Sequence, residues 1–141
     1  MRKINKFIVH HSASDYRTTV DDIRDWHVHG NGWSDIGYHY IILADGSIEE
    51  GRPVTKIGAH CKGKNRYSIG ICVVGNFEHT TPTPQQVASL VKKLNDLCAT
   101  YKLTWENVYA HCDFSTTLCP GMNLNHVLKQ FKKRNTPGPN P

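Results

Sequence analysis

The chain has 141 residues, 38% of them hydrophobic and 21% charged, and a formal net charge of +5 when its nine histidines are neutral. That size and balance suit one compact domain with a core of its own and exclude a wholly disordered chain. No apolar run approaches the ~20 residues of a membrane-spanning helix, and the apolar stretch Phe7–Val9 behind the charged N-terminus falls short of the roughly 7–15 residues of a secretory signal.

The expectation is therefore a protein made and first held in the cytosol, without stable membrane association. Much of the positive charge sits at the ends, in Arg2, Lys3 and Lys6 and again in Lys129, Lys132, Lys133 and Arg134. A basic surface favours anionic partners, but a solvated helix face accounts for these residues as well. No nucleic-acid motif is present, so no nucleic-acid partner is expected.

KFIVHH (6–11) reads as a short buried strand that ends in two histidines. TTVDDIRDWHVHG (18–30) predicts a helix, with Thr19 and Asp22 as a capping box and Gly30 as its stop. GYHYIILADGSIEEGR (37–52) predicts a hairpin, its strands joined by Asp45-Gly46 in a tight primed turn. SIGICVVGNF (68–77) is an apolar strand suited to the middle of a sheet.

TPTPQQVASLVKKLNDLCATYK (81–102) carries the clearest helical pattern. Thr83 can cap it, Pro84 fits its first turn and Gln86 completes a capping box. Val87, Leu90, Val91, Leu94, Leu97, Cys98 and Tyr101 share one face. ENVYAH (106–111) predicts a short strand, and LNHVLKQFKKR (124–134) a last helix with Leu124, Val127, Leu128 and Phe131 inward. The whole reads as an α/β fold: a single domain over residues 1–135, with a central mixed β-sheet flanked by helices, and a flexible tail over 136–141.

Five cysteines without a CxxC pair do not make a zinc-finger framework. Cys72 and Cys98 fall on apolar faces and read as buried, reduced thiols. Cys119 differs, because YAHCDFSTTLCPG (109–121) places it in a loop after the strand-end His111. Alternate strand residues face opposite ways, so only one of His10 and His11 can join that pair. Two imidazole nitrogens and a thiolate are a donor set that zinc accepts with a fourth position left open, the arrangement of a catalytic rather than a structural site. Asp113 is close enough in sequence to be a fourth ligand or a supporting partner.

Four stretches in order, FIVHHSAS, DIGYHYIILADGSIEEGR, GAHCKGKNRYSIGICVVGNF and AHCDFSTTLCPG, resemble the zinc-dependent N-acetylmuramoyl-L-alanine amidases of the type 2 superfamily. That group includes short phage lysozyme-type amidases and peptidoglycan recognition proteins. The resemblance runs from about residue 6 to about residue 131. It implies a zinc ion held by His10, His111 and Cys119, with His11 facing elsewhere. It implies that Tyr38, in the GYH motif, and Thr117 assist catalysis, and that His60 and Asn65 line the substrate cleft. The implied reaction is hydrolysis of the amide between N-acetylmuramic acid and L-alanine in bacterial peptidoglycan. The implied setting is a monomeric phage or prophage endolysin that waits in the host cytoplasm before release to the wall.

Two departures stand out. Phage lysozyme-type members carry a lysine where this chain has Thr117, as catalytic recognition proteins do. The branch that recycles anhydromuropeptides carries a glutamate in an IGIE-type stretch, where this chain reads Ile69-Gly70-Ile71-Cys72. Rival readings are a non-catalytic peptidoglycan-binding module, which Cys119 speaks against, a regulatory protein that binds a polymerase, and a structural zinc without chemistry.

Overall fold

The computed structural model describes residues 2–135. The tail expected over 136–141 lies outside the described residues. Within them the chain forms one domain around a five-stranded mixed sheet. Its strands are β1 (Lys6–His11), β2 (Tyr40–Ile42), β3 (Ile48–Glu50), β4 (Ser68–Val73) and β5 (Val108–Ala110), in the spatial order β3-β2-β4-β1-β5. β1, β2, β4 and β5 run parallel, and only the edge strand β3 is antiparallel. All six residues of β4 are buried, as its unbroken apolar run requires of a central parallel strand.

Strand alternation splits the core in two. Phe7 and Val9 of β1 and Ile69, Ile71 and Val73 of β4 face α2 (Pro84–Tyr101) and α3 (Met122–Asn135), packing against Leu90, Leu94, Leu124 and Leu128. Cys72 joins Ile41, Ile36 and Val74 on the opposite face, under α1 (Val20–Asp25). By the same alternation His10 belongs to the α1 face and His11 to the α2–α3 face. His11 accordingly accepts a hydrogen bond from Phe77 N–H at its Nδ1, 3.2 Å away.

The helix predicted over 18–30 begins as expected, with Thr19 and Asp22 capping each other reciprocally. Its last turn, Trp26–Gly30, widens, and Asn31 N–H bonds to the Trp26 carbonyl five residues back. The hairpin loop also departs from expectation. A primed two-residue turn would need positive φ at Asp45, and only Gly46 has it, at +88°. Gly46 N–H bonds to Leu43 C=O and Leu43 N–H to Ser47 C=O, which makes a three-residue loop with glycine in the left-handed position. The strand expected to reach Phe77 stops at Val73, and β5 is shorter than its prediction because Trp105–Asn107 forms a single tight helical turn.

β1 and β5 are parallel neighbours with Val9 opposite Ala110. Their carboxyl ends therefore emerge side by side, and the next residues are His10 and His111. The crevice beyond the carboxyl ends of parallel strands is where open α/β sheets bind ligands.

Candidate metal centre and its cleft

His10 Nδ1 lies 3.1 Å from His111 Nδ1 and 3.7 Å from Cys119 Sγ. These are the only described residues whose metal-ligating atoms converge as a group of three or more, all within 4.8 Å of one another. β1 delivers His10 and the end of β5 delivers His111. Cys119 arrives from the following loop, which closes through Cys112 N–H to Cys119 C=O at 3.0 Å. The His11 N–H points at Cys119 Sγ, 3.4 Å away, and Cys119 N–H donates to Thr117 Oγ1 at 3.2 Å.

Burial sets the protonation of this group. It holds His10 well below the ordinary histidine range, with His60 and His111 nearby adding to the effect, and it lowers His111 as well. It pushes the Cys119 thiol up to about 12, partly countered by the His11 N–H. Without a metal the three donors are neutral at pH 7, and a metal binds by displacing the thiol proton. Two imidazoles and one thiolate then present a borderline-soft donor set with net charge −1.

Asp113 stays out of the cluster. Its Oδ2 accepts the Ala110 N–H at 2.8 Å and its other oxygen pairs with Lys129, so the carboxylate caps the turn after β5. A fourth protein ligand from Asp113 is thereby excluded in this conformation. Among the described residues all five cysteines are free thiols.

Two cavities open beside the cluster and meet at Tyr38 and His111. One, of about 620 Å³, is lined by Thr117 and Cys119 together with His11, Asn76 and Glu78. The other, of about 510 Å³, is lined by His27, Trp33, His60, Lys62 and Asn65. Together they form a groove with the converging donors at its middle. Glu78 is the one carboxylate among the described residues of either wall, and it accepts the Met122 N–H that starts α3.

Tyr38 precedes β2 rather than lying on it. Its ring packs 5.1 Å from that of His10 and against the buried cluster that holds Cys72. Burial holds this phenol well above its usual range, with Cys72 and Cys119 contributing. Cys72 itself is fully buried beneath Tyr38, in the core position its apolar strand implies.

His60 and Asn65 reach the second cavity less directly than expected. His60 is 9% exposed and its Nδ1 lies 2.9 Å from His10 Nε2. Asn65 turns its Oδ1 inward to accept the N–H groups of His60 and Cys61, both at 2.9 Å. Sequence reading missed His27 and Trp33. The widened turn after α1 carries His27 to 4.8 Å from the Trp33 ring and 5.4 Å from the Tyr38 ring. An uninterrupted helix over 18–30 gives no hint of that placement.

Comparison with known proteins adds four findings. The family model described as N-acetylmuramoyl-L-alanine amidase matches residues 1–122. The endolysin of Enterobacteria phage K11 is 36% identical over 135 residues, which span 91% of this chain and 87% of the endolysin. Peptidoglycan-recognition protein SC1a of Drosophila melanogaster is 34% identical over 130 residues, 86% of this chain and 70% of that protein. Among solved structures, N-acetylmuramoyl-L-alanine amidase LysC from Clostridium intestinale URNW matches with a TM-score of 0.83 and 35% identity, covering 92% of this chain and 86% of LysC.

Proposed function

The chain belongs to the N-acetylmuramoyl-L-alanine amidase family, and on that premise we propose that His10, His111 and Cys119 hold a zinc ion beside which the peptidoglycan amide is cut. The protein is an amidase of the endolysin kind, hydrolysing the bond between N-acetylmuramic acid and L-alanine. The observation that supports the metal assignment is the spacing of the donors. A tetrahedral ion with nitrogens at ~2.05 Å and sulfur at ~2.3 Å needs donor separations of about 3.3 Å (N to N) and about 3.6 Å (N to S). The two separations from His10 stand at 3.1 and 3.7 Å, within a few tenths of an ångström of those values, and all three donors lie within 4.8 Å of one another.

When bound, zinc supplies Lewis acidity toward the scissile carbonyl and the attacking water. The chain's residues do the remaining work. Tyr38, kept as a phenol by its burial, offers its O–H to the oxygen that gains charge in the tetrahedral transition state. Thr117 spends its oxygen as acceptor on Cys119 N–H, which leaves its hydroxyl proton free for the same oxygen. The muramyl and stem-peptide halves of the substrate extend into the two arms of the groove, with Trp33 offering an aromatic wall. Water adds across the amide: its oxygen joins the lactyl carbon, the C–N bond breaks, and a proton passes to the departing amine of L-alanine.

Among the described residues no helix is long and apolar enough to cross a membrane. The proposed setting is a monomer that collects in the host cytoplasm and meets peptidoglycan after release. Purified peptidoglycan is digested with the protein, with and without a chelator, and the soluble products are weighed by mass spectrometry. Free stem peptides that begin at L-alanine, lost on chelation and restored by zinc, are expected. Cys119→Ala is expected to abolish their release while retaining the wild-type circular dichroism spectrum. Wild-type turnover by that variant, or by the chelated protein, overturns the zinc assignment.

A further inference from the structure

We propose that His60 is a positioning residue that accepts the Nε2 proton of His10 and so keeps His10 Nδ1 open for the metal. This rests on the zinc site proposed above. A neutral imidazole carries one N–H, and the two nitrogens are not independent. The Nδ1 of His10 faces His111 and Cys119, so metal binding there requires the proton on Nε2. His10 is 1% exposed, so that proton has no water to donate to. His60 Nδ1 stands 2.9 Å away, with the two rings perpendicular at 89°.

The relay continues one step. His60 Nε2 lies 3.2 Å from the Oγ of Ser68, which is fully buried. If Nδ1 of His60 accepts, its Nε2 must carry the proton and donate to that hydroxyl. Every nitrogen in the pair then has one assigned state, and a proton added to His60 Nδ1 breaks its bond to His10. Burial accordingly lowers His60 to about 3.

The surroundings are built to hold this ring. A Cβ at Gly70 would lie 2.5 Å from His60 Cγ, so only glycine on β4 lets the ring lie against the strand. Asn65 fixes the loop by taking the backbone N–H of His60 itself. The usual partner of a metal-binding histidine is a carboxylate or a carbonyl. A neutral imidazole accepts less strongly than a carboxylate, so His10 keeps the character of a neutral ligand.

Zinc affinity of the metal-free protein, read by competition with a chromophoric chelator, separates positioning from a place on the substrate wall. His60→Ala is expected to lose about 10–100-fold in affinity, the usual cost of removing such a partner. His60→Asn, whose amide oxygen stands near the Nδ1 position, is expected to recover most of that loss. Ser68→Ala is expected to lose less than His60→Ala. Zinc affinity unchanged in His60→Ala, with KM for a soluble muropeptide raised instead, overturns the proposal. Nitrogen-15 spectra of zinc-loaded wild type give a check that no misfolded variant can spoil. They should place the protons of His10 and His60 on Nε2, and a proton on His60 Nδ1 overturns the proposal outright. Wild-type protein that takes up no zinc overturns the underlying metal site, and this role with it.

Discussion

By the resemblance to phage lysozyme-type amidases, Thr117 falls where that group carries a lysine, and the difference is one of charge. A hydroxyl donates a hydrogen bond to an oxyanion but brings no cation. Thr117→Val keeps the shape and removes the donor. It is expected to lower kcat for stem-peptide release by about 10–100-fold, below the 10²–10³ of a stronger oxyanion donor, and to leave zinc affinity unchanged. Thr117→Ser should retain most of the activity. A valine variant with wild-type kcat would remove Thr117 from the reaction. At this scale the convergence of three donor side chains was legible. His10, His111 and Cys119 are chemically suited residues at strand ends, and the resemblance decides between His10 and His11 in agreement with the alternation seen in β1. The role of His60 was not legible, because its ring direction depends on Asn65 Oδ1 and on the missing side chain at Gly70, both tertiary contacts. The same holds for Asp113, whose carboxylate folds back on its own turn.

The capping box of α2 is a local signal that proved to have a long-range use. Gln86 is 2% exposed. Its Oε1 accepts the Thr83 N–H at 3.0 Å, and its Nε2 donates to the Val74 carbonyl at 2.8 Å, just beyond the end of β4. The Thr83 hydroxyl accepts the Gln86 N–H and donates to Ala44 C=O in the hairpin loop. One cap thus ties a helix, a central strand and a hairpin together. Gln86→Ala leaves a buried carbonyl and an N–H without partners and is expected to cost about 2–3 kcal/mol. Thr83→Ala, which loses one cap and one loop bond, is expected to cost about 1–2 kcal/mol. Denaturant midpoints at constant m-value measure both, and a Gln86→Ala cost below that of Thr83→Ala contradicts the tie to Val74. Period and cap residues gave the helix in the sequence. The widened turn at Trp26–Gly30 left no such trace, because it breaks the period through packing of His27 against Trp33 and Tyr38.

Across the whole molecule, the face of the sheet under α1 is crowded with imidazoles that fold in neutral form. His39 shows the cause most simply. Its Nδ1 accepts the Gly70 N–H at 3.0 Å and its Nε2 donates to Lys56 C=O at 2.8 Å, which fixes one tautomer. Burial brings it down to about 4, and the neighbouring Arg2 guanidinium adds to the drop, while the Lys56 bond resists it. His60 is lowered to about 3, chiefly by burial, and burial also lowers His10, His11, His27 and His111. In the unfolded chain a histidine titrates near ~6.5. Between that value and about 4 the unfolded state therefore binds more protons than the folded one, and stability rises with pH. The contribution is complete above about pH 6.5 and is lost as pH falls toward 4. His39 and His60 alone set a slope of about 2–3 kcal/mol per pH unit near pH 5, a large share of a stability of ~5–15 kcal/mol. The melting temperature of the chelated protein is expected to be level from pH 8 to 6.5 and to fall steeply by pH 4.5, above the range where most carboxylates titrate. His39→Gln, which does not titrate, should shallow that fall, and zinc should raise the whole curve by favouring the folded state. A curve level down to pH 4.5 would mean that these rings take up protons without leaving their places, and the neutral network under α1 would then be wrong.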